Sequence, residues 1–380
     1  MKFLLIYVPN LRFNNDPYKK YNLYEFATRV TRKNKDNVSN LPLTISAQYG
    51  LVDQVSFFNK TVASKDMSGY YLLKNGEFAY NKSYSNDYPW GAIKRLDLYD
   101  MGCLSTLYIC FKTNDNIVNS NYLVHYFESS KWHKQVADIA GEGARNHGLL
   151  NIVVNDFFNT KHAVPTIENQ IKIAGFLDLI EKRIQTQIKI IDTLSSQKKQ
   201  IRNLIFKDIH KNANCCIQDY VIYEQPQKYI VHSTDYVSHG KDYTPVLTAN
   251  QSFILGYTLE KDGIYKKGDC IIFDDFTNEN KYVDFPFKVK SSALKILQTK
   301  EGLMLKFFYE YLQFLNFEST DHKRHYLSEV AVTDISVPNL KEQTFLCKIF
   351  TSFDNKLKNE EALLEKYRLQ KQFLLNNLFI

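Results

Sequence analysis

The stretch "IIFDDFTNENKY" holds the residues best suited to chemistry: Asp274, Asp275, Glu279 and Lys281. An acid followed by Glu-x-Lys is the kind of set with which nucleases hold a divalent metal and activate water. Those carboxylates must meet at one metal from two paired strands with a turn between them. Four residues from Asp275 to Glu279 leave little room for that, so the expectation is an acidic loop at a strand end. "NNDPY" (14–18) has the beginning of the Asn/Asp-Pro-Pro-aromatic motif of adenine methyltransferases. It lacks the second proline, and no Gly-rich S-adenosylmethionine loop occurs anywhere. No Gly-x-x-x-x-Gly-Lys-Ser/Thr loop occurs either, so ATP chemistry is not expected. His232 and His239 stand seven apart without a Cys or acid pattern that would complete a zinc site. Cys103, Cys110, Cys215, Cys216, Cys270 and Cys347 include no Cys-x-x-Cys pair and read as reduced thiols. No catalytic residue and no metal ligand is assigned.

The elements that must position any function are more informative. "VPTIENQIKIAGFLDLIEKRI" starts at Val164, and "VPNLKEQTFLCKIFTSFDNKL" starts at Val337. The two align without a gap over Val164–Lys207 and Val337–Ile380. Identical pairs are Val164/Val337, Pro165/Pro338, Gln170/Gln343, Gln197/Gln370, Lys198/Lys371, Asn203/Asn376 and Phe206/Phe379. Each copy predicts one long helix opened by its proline, and Asn339 with Glu342 resembles a capping box. Apolar residues recur in steps of four and three. In the first copy they are Ile173, Leu177, Ile180, Ile184, Ile191, Leu194, Ile201 and Ile205. In the second they are Leu346, Phe350, Phe353, Leu357, Leu364, Tyr367, Leu374 and Leu378. Polar breaks fall at Gln187 and Lys198 and at the equivalent Glu360 and Lys371. Such a seam is that of a coiled coil, in which polar positions fix register and partner choice. A helix of about 39 residues spans roughly 58 Å. The residues between the copies leave room for the second helix to run back antiparallel to the first.

The remaining segments, 1–163 and 208–336, read as mixed strand and turn with some helix. "YLLKNGEFAYN" (71–81) and "GIYKKGDCIIFDD" (263–275) share one pattern, with Gly76 and Gly268 each turning into a strand. The order is therefore globule, helix, globule, helix, with an internal pseudo-two-fold. The fold class expected is α+β: two mixed α/β globules separated by two long antiparallel coiled-coil helices. Two related heads at a fixed separation suit a ligand with two half-sites, of which duplex DNA is the obvious one. A net charge of +7 fits a polyanionic partner without requiring one.

Affinity for DNA would come from Lys and Arg on phosphates, and specificity from amide, hydroxyl and guanidinium groups on base edges. In the first globule the candidates are Arg29, Arg32, Lys33, Asn34 and Lys35, then Asn81, Lys82, Ser83 and Tyr84, then Arg145, Asn146 and His147. In the second they are Thr248 and Asn250, then Thr277, Asn278 and Lys281, then Lys290 and Ser291, then His322, Lys323, Arg324 and His325.

The residues also resemble a family. "VPNLRF" (8–13) and "GEGARNHGLLNIVVNDFFNTKHAVPTIENQ" resemble the start of a type I restriction–modification specificity (S) subunit and the end of its first recognition domain. "TPVLTANQSFILGYT", "IIFDDFT", "KYVDFPFKVKSSALKIL" and "HKRHYL" resemble a recurrent second recognition domain. The helix starts at Pro165 and Pro338 carry the family's Pro-x-x-x-x-Gln pattern. Where the family usually has Glu-Glu-Gln, this chain has Glu168-Asn169-Gln170 and Lys341-Glu342-Gln343.

The resemblance implies target recognition domains at 1–163 and 208–336 and conserved helical spacers at 164–207 and 337–380. It implies a non-catalytic subunit that reads a bipartite double-stranded DNA target with a fixed gap. Two adenine-N6 methyltransferase (M) subunits and restriction (R) subunits would dock on it, and S-adenosylmethionine, ATP and Mg would belong to those partners. The start "MKFLLIY" is too short for a signal peptide or membrane span, so a cytoplasmic bacterial protein is expected. The alternatives are a coiled-coil scaffold without sequence readout and the specificity subunit of a related defence methylation system.

Overall fold

The structure is a computed structural model and describes residues 18–46, 49–60, 63–85, 88–141, 148–237, 243–249, 252–319 and 323–379. In chain order, the first globule holds β1 (Lys19–Asn22), α1 (Leu23–Phe26), β2 (Ala27–Arg29), β3 (Leu43–Ser46), β4 (Gly50–Asp53) and α2 (Gln54–Phe58). It continues with β5 (Tyr71–Lys74), β6 (Phe78–Asn81), β7 (Ala92–Arg95), β8 (Met101–Leu104), β9 (Ile109–Thr113), α3 (Ser120–Glu128), α4 (His133–Ile139), α5 (Val154–Phe158) and β10 (Lys161–Val164). The long helix α6 (Ile167–His210) follows. The second globule holds β11 (Cys215–Cys216), α7 (Ile217–Tyr220), β12 (Val221–Glu224), β13 (Thr244–Leu247), β14 (Ile254–Thr258), β15 (Cys270–Asp274), β16 (Asn280–Val283), β17 (Lys288–Val289), β18 (Leu294–Thr299), α8 (Leu305–Leu315) and β19 (Asp334–Ile335). The chain closes on α9 (Leu340–Leu378).

Two compact units result: Met1–Gln187 with Leu363–Ile380, and Ile188–Ala362. Each long helix gives one half to each unit. Within the first unit Lys371 on α9 meets Glu181 on α6, and the Arg183 guanidinium lies over the Tyr367 ring. Within the second, Lys198 on α6 meets Asp354 on α9, and Phe206 on α6 stacks with Phe350 on α9. In both units the α9 number falls as the α6 number rises, so the halves pack antiparallel. The expected seam is the packed face. Ile173, Leu177, Ile180, Ile184, Phe350, Leu364 and Leu374 are buried, and Ile191, Leu194, Ile201, Phe353, Leu357 and Tyr367 are half-buried.

The two globules repeat one plan. The first has an antiparallel sheet in the order β2-β9-β6-β7, and the second has β12-β18-β15-β16. Strands β1 and β10 pair ahead of α6 as β11 and β19 pair ahead of α9. The short helices α1 and α7 each open on an acid that accepts the N–H before the helix: Glu25 from Asn22 at 2.6 Å and Asp219 from Cys216 at 2.8 Å. Gly76 (φ 81°) and Gly268 (φ 95°) both take the left-handed turn into a strand that the sequence pattern requires. The high aromatic content is spent inside. Phe78, Tyr80, Phe111, Tyr122, Tyr126, Trp132 and Phe157 fill the first globule, and Phe206, Phe307, Phe308, Tyr311, Tyr326 and Phe350 fill one core of the second.

The start of each long helix is fixed by its repeated glutamine. Gln170 Nε2 donates to the Pro165 and Ile117 carbonyls at 2.8 and 3.3 Å, and its Oε1 accepts from the Asn119 N–H at 2.7 Å. Gln343 does the same to Pro338, Gly302 and Met304, each at 2.8 Å. Both side chains are buried, and their amide is fully used. All six cysteines are free.

Candidate nucleic-acid interface

In the first globule Arg29 stands exposed at the end of β2 beside an open hollow of about 460 Å³ lined also by Tyr24, Asn155, Phe158 and Asn159. Arg32 pairs with Glu77 at 2.7 Å, and Lys33 lies 4.4 Å over the Tyr71 ring while donating to the Gly69 carbonyl. Lys35 is exposed. Asn34 departs from the expectation: it is fully buried. Its amide donates to the Ser39 carbonyl and its Oδ1 accepts from the Ser39 N–H at 3.0 Å. It closes the turn that displays its basic neighbours and presents nothing to a ligand.

Asn81 ends β6 and its Oδ1 accepts from the Ser83 N–H, while Lys82 is half-buried and Ser83 and Tyr84 are exposed. The Tyr84 N–H donates to the Gly148 carbonyl at 2.7 Å, and the Leu150 N–H donates to the Lys82 carbonyl at 2.9 Å. The "NKSYS" stretch is thereby stitched to the residues that follow "ARNH". Arg145, Asn146 and His147 themselves lie outside the described residues.

The second globule joins the corresponding stretches. Asp274 Oδ1 accepts from the Phe276 and Thr277 N–H groups, each at 3.0 Å, and so turns the chain after β15. Asp275 is buried against Lys295 at 3.0 Å and accepts the Tyr326 N–H on its side chain and the His325 N–H on its carbonyl, both at 2.9 Å. The acidic pair is thus a turn and a tether at the strand end. Arg324 is exposed over the Phe276 ring, and Lys323 and Thr277 are exposed beside it. Lys281 is half-buried on β16.

Two further candidates need correction here. His325 is buried between Glu329 and Ser319, and Asn278 is buried with φ 58°, a backbone conformation that asparagine tolerates better than most residues. Neither shows a face to solvent. His322 and Asn250 lie outside the described residues. The parallel pairing of β13 with β17 sets Thr248 next to the exposed Lys290 and Ser291, with the Lys290 N–H donating to the Leu247 carbonyl.

One cluster escaped the sequence reading. His232, Glu260 and Asp262 offer ligand atoms all within 4.8 Å of one another. Glu260 is already committed: Lys288 Nζ lies 2.6 Å away and the His232 and Ser233 N–H groups donate to its other oxygen. The buried Lys288 ammonium thus already balances the Glu260 charge. No described helix is long and apolar enough to cross a membrane.

The fold occurs in known proteins. A crystal structure of a type I restriction–modification system S subunit from M. genitalium superposes with a TM-score of 0.58 over 98% of this chain and 99% of that one, at 15% identity. The chain has the fold of a type I specificity subunit. A structure from work on complex assembly and conformational transition of the type I R-M system matches at a TM-score of 0.53 and 14% identity, over 94% of this chain and 96% of that one. By sequence, the EcoR124I/EcoR124II specificity subunit of Escherichia coli is 48% identical over 122 residues. The chain covers 30% of that relative's length, and the match takes up 30% of this chain. No protein-family model matches.

Proposed function

We propose that this chain is the non-catalytic specificity subunit of a type I restriction–modification complex, reading a bipartite DNA target. One observation carries the reading. In each globule the turn after an equivalent strand, β6 or β15, is hydrogen-bonded to a second polar or basic loop that precedes the long helix. Each globule so builds a compact platform in which exposed side chains such as Ser83 and Tyr84, or Thr277, Lys323 and Arg324, stand together. Two platforms suit two half-sites, and the helices between them set the unread gap. Exposed apolar side chains along the helices, among them Leu179, Leu204, Phe345 and Leu369, supply docking surface for methyltransferase subunits. Restriction subunits join that assembly, and S-adenosylmethionine, ATP and Mg are held by the partners.

The test is an exchange of residues 208–336 for the second globule of another specificity subunit. One half of the methylated target should change and the other half, with the gap, should stay. A change in both halves would refute the modular reading. DNA binding should also weaken steeply as salt rises, whereas a scaffold without readout gives no DNA binding at all.

A further inference from the structure

The two lysines that interrupt the helix seam do more than break it. Lys371 Nζ lies 2.7 Å from Glu181 Oε2 on α6 and 2.8 Å from Glu128 Oε2 at the end of α3. Lys198 Nζ lies 2.6 Å from Asp354 Oδ1 on α9 and 2.9 Å from Glu310 Oε1 on α8. Lys198 and Lys371 are repeat partners, and so are Glu181 and Asp354. In each unit one ammonium therefore bridges the two helices and a helix of the globule.

The globule carboxylates sit where an unpaired charge is costly, and in each unit the seam lysine among their cations also meets the opposite helix. Glu310 is wholly buried in α8, among Phe307, Phe308 and Tyr311, and takes Lys198, Arg202 and Lys306 around it at 2.9 Å each. A carboxylate stripped of water is strongly unfavourable unless it is paired and hydrogen-bonded. Glu128 is the last residue of α3, where the helix dipole disfavours an anion. Burial would raise its pKa, yet His125, Lys94 and Lys371 hold the carboxyl well below its ordinary range. Burial would lower the pKa of Lys371, and Glu128 and Glu181 keep it above its ordinary value. A seam cation needing only register would be served by the opposite helix alone.

We propose that Lys198 and Lys371, with Glu310 and Glu128, are positioning residues that lock each recognition globule at one setting on the helix pair. They thereby make the gap between half-sites sharp, without touching DNA. This rests on the reading given under Proposed function.

The experiment uses the chain in complex with its methyltransferase subunits, acting on duplexes of constant half-sites whose gap is one base pair shorter, native, or one longer. Wild type should strongly prefer one gap. Glu128→Gln and Glu310→Gln remove the globule-side charge and leave the interhelix pair. Each should keep the half-site bases and lower the preference for the native gap about tenfold, equivalent to about 1.4 kcal/mol. Glu181→Gln weakens the interhelix side only and should leave the gap preference in place, whereas Asp354 also meets Lys306 of α8 and belongs to the globule contact. Should a Gln variant fail to assemble, Glu128→Asp and Glu310→Asp, which withdraw the charge by one methylene, take its place with the same two outcomes. An intact variant complex with the wild-type gap profile overturns this proposal alone. A wild-type complex that methylates every gap alike overturns it together with the reading on which it rests.

Discussion

The two units agree where they touch the helices and differ where they do not. Both fasten the helix start with a glutamine bracket, both meet the seam lysine with a globule carboxylate, and both cover the repeated phenylalanine with rings. Phe379 packs on Tyr122 and Tyr126, and Phe206 packs on Phe307 and Tyr311. Away from the helices the plans part. The first globule adds two antiparallel pairs, β3-β4 and β5-β8, whereas the second adds the sheet β14-β13-β17 with a parallel pairing of β13 and β17. The attachment is thus held nearly constant while the outer strands and their loops vary. That division suits a molecule whose frame must be one thing and whose readout must be two.

The largest expected effect tests whether the two attachments are equally strong. Glu310 is wholly buried with three cations, while the Glu128 side chain keeps 22% exposure. Glu310→Ala should cost about 3–5 kcal/mol in denaturant unfolding of the full chain, because it leaves Arg202 without its carboxylate and Lys198 and Lys306 sharing Asp354 alone. Glu128→Ala should cost less, about 1.5–3 kcal/mol, through loss of charged hydrogen bonds. Equal losses would mean that burial does not distinguish the two attachments.

A second difference lies in the paired strands ahead of the helices. His162 faces Tyr21 in the first unit, and Ile335 faces Cys215 at the same place in the second. His162 is bonded to Tyr126 and Thr160 at 2.9 and 2.7 Å, and burial pushes its pKa down to about 4 from 6.5. The unfolded chain therefore binds a proton that the folded one does not. Stability is complete above pH 6.5 and is lost as pH falls from there toward 4, by about 3 kcal/mol at most. Amide exchange should show β10 loosening over that window and β19 holding. His162→Ile should remove the difference, and an unchanged pH profile in that variant would refute the assignment.

The smallest effect concerns readout. Arg324→Ala should weaken DNA binding by about 1–3 kcal/mol and relax specificity at one position of one half-site if the guanidinium meets a base edge. A uniform weakening across sequences would place it at a phosphate instead. No loss would remove the second platform from the interface.

Much of the frame was legible because periodicity is local. The seam, its polar breaks and the glycine turns can be read within a window of a few residues. The partners of those polar breaks cannot. Glu128 and Glu310 reach their lysines only through the tertiary fold, and nothing in "SNYLVHYFE" marks its last residue as a counterion. The errors at Asn34, Asn278 and His325 share one cause. A polar residue in a polar stretch reads as facing solvent, but tight turns also use such side chains, or such backbone tolerance, to close on themselves. The spacing of His325 and Glu329 was the one available warning. The meetings of Thr248 with Lys290 and of His232 with Glu260 and Asp262 depend on long-range pairing that no pattern announces.

The central claim is that two fastened globules read two half-sites across a fixed gap. Co-expression of the chain with its methyltransferase subunits in a host free of adenine methylation, followed by single-molecule mapping of N6-methyladenine, tests it most directly. The account predicts one split motif with a single gap length. A continuous motif, or half-sites found at many gap lengths, would contradict it.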